Sequence, residues 1–244
     1  MKKNSTALFI CIIVFSITAF CQPKFILSGK VEYEKKQNMY ALLMKGNWSA
    51  DMKSRLPQFR STFYDLYFSG TQSLYKPGKE TEEKFEGWWN DLAAENIVYN
   101  NLETAETKQQ KVIFGQQFIE KDSLLKIDWR ITEETRTIAG FECKKAVGRM
   151  LDTVLVVAFF TQEIVSASGP ESFHGLPGLI LGVAFPRMHT TWFATKLELQ
   201  QIQPATFTPP VKGKLITRRE LIKKVYSALG DRSTAGQDLL EILF

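Results

Sequence analysis

Leu125-Lys126-Ile127-Asp128-Trp129-Arg130-Ile131 alternates without a break, with Leu125, Ile127, Trp129 and Ile131 on one side and Lys126, Asp128 and Arg130 on the other. Successive side chains of a strand point to opposite faces, so this stretch reads as a strand with one dry face and one wet face. Sheets of that kind are antiparallel; the strands of a doubly wound parallel sheet are covered on both sides and run apolar throughout.

Toward the C-terminus, residues 132–137 are polar and Gly140 marks a bend. Residues 141–150 resume in extended form, with Cys143 and Val147 four apart and so on one side. Residues 154–160 are apolar on both faces, which predicts a central strand covered from both sides. Residues 190–199 close the series, with Phe193, Leu197 and Leu199 opposite Lys196, Glu198 and Gln200. Toward the N-terminus, residues 111–114 and 117–121 read as two strand segments separated by Gly115, or as one strand with a bulge. Residues 97–99 form a short strand that turns at Asn100 and Asn101. Residues 63–68 and 71–75 predict a hairpin about Ser69 and Gly70, ended by Pro77 and Gly78. Residues 29–36 give an opening strand with Val31 and Tyr33 facing away from Lys30, Glu32 and Glu34.

A different period begins after the connector stiffened by Pro204, Pro209 and Pro210. Thr217 and Glu220 make a capping box, and Leu221, Ile222, Val225, Tyr226 and Leu229 form the apolar stripe of a helix. Glu220 and Lys224 add an i,i+4 pair, and Gly230 is placed to end the helix. Arg218 and Arg219 stand at the end where the helix dipole disfavours a cation. A basic amphipathic helix can touch a membrane, but one of barely three turns is expected to pack on the domain. A second short helix is expected over residues 235–243. The fold class is therefore α+β: a largely antiparallel, curved β-sheet with a C-terminal helix packed on it.

The chain opens with Lys2 and Lys3, followed by an apolar run over residues 7–20, the layout of a secretory signal. At 14 residues the run falls short of the roughly 20 that a spanning helix needs. Ala19 and Cys21 flank Phe20 as small residues for ordinary processing, giving a signal over residues 1–21 and a single domain over residues 22–244. Alternatively the signal ends before Cys21, and Cys21 carries a lipid, although bulky Phe20 fits that processing poorly. The expected location is periplasmic or otherwise exported, with membrane association only through a lipidated Cys21. Cys11 is lost in either case, and no internal disulfide framework remains beside Cys143. The formal charge of +5 loses two units with Lys2 and Lys3, and the remaining basic residues are interspersed with acidic ones. That balance argues against nucleic acid as a partner.

Three ordered blocks carry a family resemblance. They are Ile138-Ala139-Gly140-Phe141-Glu142-Cys143-Lys144-Lys145-Ala146, then Phe160-Thr161-Gln162-Glu163-Ile164, then Gly175-Leu176-Pro177-Gly178-Leu179-Ile180 preceded by Phe173 and His174. Together they resemble the GLPGLI family of exported Bacteroidetes proteins. Gln162 stands where that family commonly has proline, and residues 150–157 lack the family's usual aromatic-rich strand. The resemblance implies export and a shared fold, and it implies no established catalytic reaction.

The candidate site residues are few. In the hexamer, Pro177 fixes its own φ and holds Leu176 extended, Gly175 and Gly178 permit backbone positions closed to other residues, and Leu176, Leu179 and Ile180 supply apolar anchors. It reads as a packed turn at the sheet, and it lacks the spacing and lysine of a phosphate-binding loop. His174 beside it either satisfies a carbonyl where the turn leaves the sheet or belongs to a polar site. Trp88 and Trp89, in a charged stretch with Phe85, are either a stacking platform for a ligand or plugs under a long loop. The expected function is that of a noncatalytic envelope protein binding an apolar small molecule, a peptide or another envelope protein in a groove between sheet and helix, with no cofactor. The alternative is a Cys143/His174-dependent enzyme, needing the thiol and imidazole about 3 Å apart. His174 and His189 are the only histidines, so a metal site would need Asp, Glu or Cys143 to complete it.

Overall fold

The computed structural model describes residues 27–43, 57–81, 93–151, 153–229, 240 and 243–244. The leader with Cys21, both Trp88 and Trp89, and most of the second expected helix lie outside these residues.

The strands are β1 (Ser28–Asn38), β2 (Phe59–Ser69), β3 (Gln72–Pro77), β4 (Ile97–Asn101), β5 (Glu106–Ile113), β6 (Gln116–Ser123), β7 (Asp128–Ile138), β8 (Phe141–Met150), β9 (Val154–Thr161), β10 (Leu179–Phe185), β11 (Thr190–Leu199) and β12 (Lys214–Ile216). Helices α1 (Met39–Leu43) and α2 (Arg218–Leu229) accompany them. One open sheet joins all twelve in the order β12-β6-β5-β4-β3-β2-β1-β11-β10-β9-β8-β7. Every pairing is antiparallel except β12 with β6. The protein is thus mainly β, with α2 as its one helix of any length among the described residues.

The sheet is strongly curved. Lys35 on β1 and Lys111 on β5 are four inter-strand steps apart, about 19 Å along a flat sheet. Yet their ammonium groups donate to the backbone oxygens of two consecutive residues, Phe244 at 3.4 Å and Leu243 at 2.8 Å. The strands between them must curl around that segment. At the other edge, β7 comes against β11 although three strands lie between them. Arg136 covers both Phe159 and Phe193 there, at 5.7 and 4.7 Å. Register places those rings opposite Gly182 and Glu34, on the face turned away from Lys35.

The concave face holds the core: Val31 and Tyr33 of β1, Leu66 and Phe68 of β2, Val98 of β4, Phe118 of β6 and Trp192 of β11 are all buried. The loop over residues 162–178 folds back into this face, burying Ile164, Phe173 and Leu176. Helix α2 adds Leu221 and Val225, and its capping box forms as expected, Thr217 N donating to Glu220 Oε2 at 3.0 Å and Glu220 N to Thr217 Oγ1 at 3.3 Å. On the convex face a smaller cluster of Leu74, Tyr99 and Phe207 is covered by the 3-10 turn Pro204–Phe207.

Three expectations need correction. The stretch that begins at Leu125 enters the sheet only at Asp128; Leu125, Ile127 and Trp129 are half-buried as the alternation predicts, but β7 is an edge strand and Ile131 is 46% exposed. Of the two readings of residues 111–121, the two strand segments about Gly115 are what forms, extended to residues 106–123, because Phe114 and Gly115 both take positive φ, the conformation of a tight hairpin turn. A bulge in the β1–β11 ladder, beside Thr195, reverses the alternation of β11. Phe193 therefore faces away from Leu197, which shares its side with Trp192 and Ala194. Strand β9 is central, but its second face is covered only in part: Leu155 is 57% exposed, Val157 and Phe159 are half-buried, and Thr161 is buried.

Candidate functional site

The ladder of β4, β5 and β6 fixes which polar residues turn inward. Val98, Gln109 and Glu120 share one row across the three strands, and Lys111 lies opposite Phe118 in the next. Phe118 and Val98 are core residues, so Gln109, Glu120 and Lys111 share their face and are buried with them. Strand β1 contributes Lys35 by the same parity that buries Val31 and Tyr33. Glu171, from the loop over residues 162–178, is fully buried with φ of +49°, a left-handed conformation that costs a non-glycine residue energy and that its surroundings must enforce.

Arg218 closes this floor from the first turn of α2. Its Nε donates to Glu120 Oε1 at 2.8 Å, its Nη2 to Ser123 O at 3.0 Å, and its backbone N–H to Asp122 Oδ2 at 3.0 Å. A cation at a helix N-terminus, unfavourable for the dipole, is explained by the buried carboxylate it serves. The second Glu120 oxygen, Gln109 Oε1 and Ser172 Oγ have no hydrogen-bond partner among the described residues. All three residues line one cavity of about 10 Å³, together with Leu125, Arg218, Leu243 and Phe244. That is room for a single water, which would donate to Glu120 and Gln109 and accept from the Ser172 hydroxyl. Burial pushes the Lys111 ammonium down in pKa; Glu120 and Glu171 pull it up, while Arg218 and Lys35 push it further down.

Above the floor stands an aromatic cage. Phe244 stacks on Phe173 with centroids 5.1 Å apart and meets Phe185 edge-on at 5.5 Å. Phe173 also meets Phe185 and Trp192 edge-on, at 6.2 and 5.7 Å. Lys35 Nζ lies 5.3 Å from the Trp192 ring. Charged floor and cage thus enclose Leu243 and Phe244, whose backbone oxygens the two lysines hold.

The hexamer is the hinge by which the loop returns to the sheet. Gly178 has φ of +155°, and a Cβ there would stand 2.0 Å from the Thr161 carbonyl oxygen, so only glycine fits. Gly175 N donates to Ala167 O at 2.9 Å and Ile180 N to Ser168 O at 3.0 Å, binding the motif to its own loop. Leu176, Leu179 and Ile180 are buried, whereas Pro177 is exposed. The carbonyl of His174 accepts from Trp129 Nε1 at 2.8 Å. Burial lowers the pKa of its imidazole, a hydrogen bond with the Leu125 backbone raises it, and Arg218 lowers it; its Nε2 has no partner among the described residues. His174 therefore stands at the rim of the charged floor.

Cys143 has no comparable setting. Its buried thiol donates to Phe141 O at 3.6 Å, and burial pushes its pKa up to about 11, away from the thiolate a nucleophile needs. No hydrogen bond joins it to His174 among the described residues. Nor do any three His, Cys, Asp or Glu side chains there converge as metal ligands would. Sequence reading overlooked Lys35, Lys111, Glu120, Glu171 and Arg218 as a group. One signal was present: Lys35 is in phase with Val31 and Tyr33, so the alternation that makes a dry face carries a charge into it.

A family model matches residues 148–182. Its description is "Protein of unknown function (Porph_ging)", and the match takes in the blocks around Phe160 and Gly175. No curated protein matches the chain. Among solved structures, PNGF-II in the P21 space group is 14% identical with a TM-score of 0.51, covering 78% of this chain and 32% of its own. PNGF-II in the C2 space group is 13% identical with a TM-score of 0.52, covering 83% and 33%. An uncharacterized conserved protein from Thermus thermophilus is 8% identical with a TM-score of 0.41, covering 79% and 91%. The likeness to PNGF-II is one of fold alone, and this chain spans about a third of the PNGF-II chains it matches.

Proposed function

We propose that this is a noncatalytic protein of the cell envelope that takes an apolar ligand, or an apolar segment of another envelope protein, into the concave face of its sheet. The observation that carries the reading is the seating of Leu243 and Phe244: an apolar segment lies in an aromatic cage with its backbone oxygens held by two buried lysines, as a ligand would lie. The raised thiol of Cys143 weighs toward binding and against the Cys143/His174 enzyme. A single GLPGLI-type domain over residues 22–244 belongs to the same reading, as do export through a leader over residues 1–21 and the alternative of an anchor at Cys21. The match over residues 148–182, which contains the hexamer, is consistent with it. The test is native mass spectrometry of delipidated protein after passage through envelope extract. One apolar molecule or segment retained per chain is the expected result; protein that emerges folded and empty would sink the reading.

A further inference from the structure

We propose that the ligand is an apolar chain with an uncharged head that carries two donor hydrogens, a primary amide or a diol. The head enters the cavity between Gln109, Glu120 and Ser172, and the chain takes the place of the Phe244 ring among Phe173, Phe185 and Trp192. This rests on the binding function proposed above and names the chemistry of the ligand.

Three buried oxygens meet at that cavity. Gln109 Oε1, Glu120 Oε2 and Ser172 Oγ lack a hydrogen-bond partner among the described residues, and leaving such atoms unpaired in the interior is costly. Their neighbours fix what each can do. The Thr107 hydroxyl donates to Tyr99 O and accepts from Gln109 Nε2, both at 3.3 Å, so the Gln109 amide presents its oxygen to the cavity. Arg218 Nε occupies Glu120 Oε1 at 2.8 Å, which leaves Oε2 to accept from elsewhere. Two of the three oxygens therefore only accept, and the Ser172 hydroxyl can also donate. A primary amide or a diol brings two donor hydrogens for the first two and an oxygen for the third. A carboxylate head would set oxygen against oxygen, beside a guanidinium already engaged by Glu120 and by Ser123 O at 3.0 Å. An ammonium head would give up its hydration for a carboxylate that Arg218 already neutralises.

One side chain divides the polar end of this site from the apolar end. Ser172 and Phe173 are consecutive, the first on the cavity and the second in the cage, and Phe244 borders both. Moving its ring joins the two, while Leu243 stays where its backbone oxygen receives Lys111 at 2.8 Å. At about 10 Å³ the cavity admits one amino or hydroxyl group, the size of a water.

The experiment is calorimetric titration of the delipidated full chain and its Phe244→Ala variant with octanamide, 1-monooctanoylglycerol, methyl octanoate, octanoic acid and octylamine. The variant should bind octanamide or 1-monooctanoylglycerol at least tenfold more tightly than the intact protein does. It should also bind that probe at least tenfold more tightly than methyl octanoate, which has no donor, and than either charged probe. Whichever of the two binds more tightly identifies the head as an amide or a diol. Adding Gln109→Met should cut the preference over methyl octanoate at least fivefold and leave the affinity for methyl octanoate itself unchanged. Equal binding of all the probes, or tighter binding of octanoic acid or octylamine, would overturn the uncharged head while leaving a binding face in place. A folded variant that takes none of the probes would overturn both proposals. Should Phe244→Ala fail to fold by thermal unfolding, Phe244→Leu keeps apolar bulk in the cage, and the same outcomes decide.

Discussion

Strand β1 sends lysines to both faces of the sheet, and the two sets meet different physics. Lys30, on the convex face, pairs with Asp65 at 2.8 Å and lies 5.7 Å from the Tyr67 ring, with 28% of its side chain exposed. Its hydrogen bond with Asp65 raises its pKa, and solvent screens the pair. Lys35, five residues on, is fully buried. The convex face repeats the first pattern with Glu32 and Lys79 at 3.0 Å, and the concave face repeats the second with Lys111, Glu120 and Glu171. The difference shows that strand parity assigns a side chain to a face, while the curl of the whole sheet decides how dry that face becomes.

The largest contrast between the faces should come from removing one partner of an ion pair on each. Arg218→Met leaves Glu120, 1% exposed, without its cation, and losing one partner of a buried pair typically costs about 3–5 kcal/mol. Lys30→Ala breaks an exposed pair and should cost no more than about 1 kcal/mol. Urea unfolding measures both. Equal costs would mean that water reaches Glu120 in the folded protein, and the distinction between the faces would fail. A smaller effect is expected at the helix that carries Arg218. Thr217→Ala removes the hydroxyl half of the capping box and should cost about 1 kcal/mol in the same assay. A loss as large as that of Arg218→Met would show that the cap and the Arg218 anchor act as one unit.

These contrasts also mark what the sequence made legible. Short-range signals held: the hairpin about Gly70, the bend at Gly140, strand β8 over Phe141–Met150 and the capping box all follow from neighbours a few residues apart. Errors arose where one inserted residue or a distant strand intervened. The bulge beside Thr195 turned Phe193 away from Leu197, and the edge position of β7 left Ile131 in water. The hexamer was legible as a packed turn because glycine and proline act locally. The charged floor was not, since it joins β1, β5, β6, α2 and the loop over residues 162–178 only once the sheet has curled.

His174 stands between the two environments and offers the finest test. Burial is the main reason that its pKa lies below the usual 6.5, with Arg218 pushing the same way and the Leu125 backbone opposing. In the unfolded chain the ring takes up its proton near 6.5, whereas in the folded chain it does so only at lower pH. Between those values the unfolded state binds more protons, so stability rises with pH across this window. Its contribution is complete above 6.5, declines as the pH falls through that value, and levels off once the folded ring is also protonated. Melting temperatures from about pH 7.5 downward should therefore fall for the intact protein. The carboxyls of Glu32, Asp122, Glu198 and Glu220, held below their usual values, lose their contributions only nearer about pH 4 and form a separate acid limb. Replacing His174 with Gln keeps a donor and an acceptor beside Leu125 but removes the titration. The His174→Gln variant should melt near the intact protein's temperature at about pH 7.5, where the ring is neutral in both states, and show a flatter profile between about 7.5 and 5, so that it melts above the intact protein at about pH 5, with the acid limb unchanged. If the full slope survives the substitution, the imidazole is solvated in both states and belongs with the convex surface rather than with the buried floor.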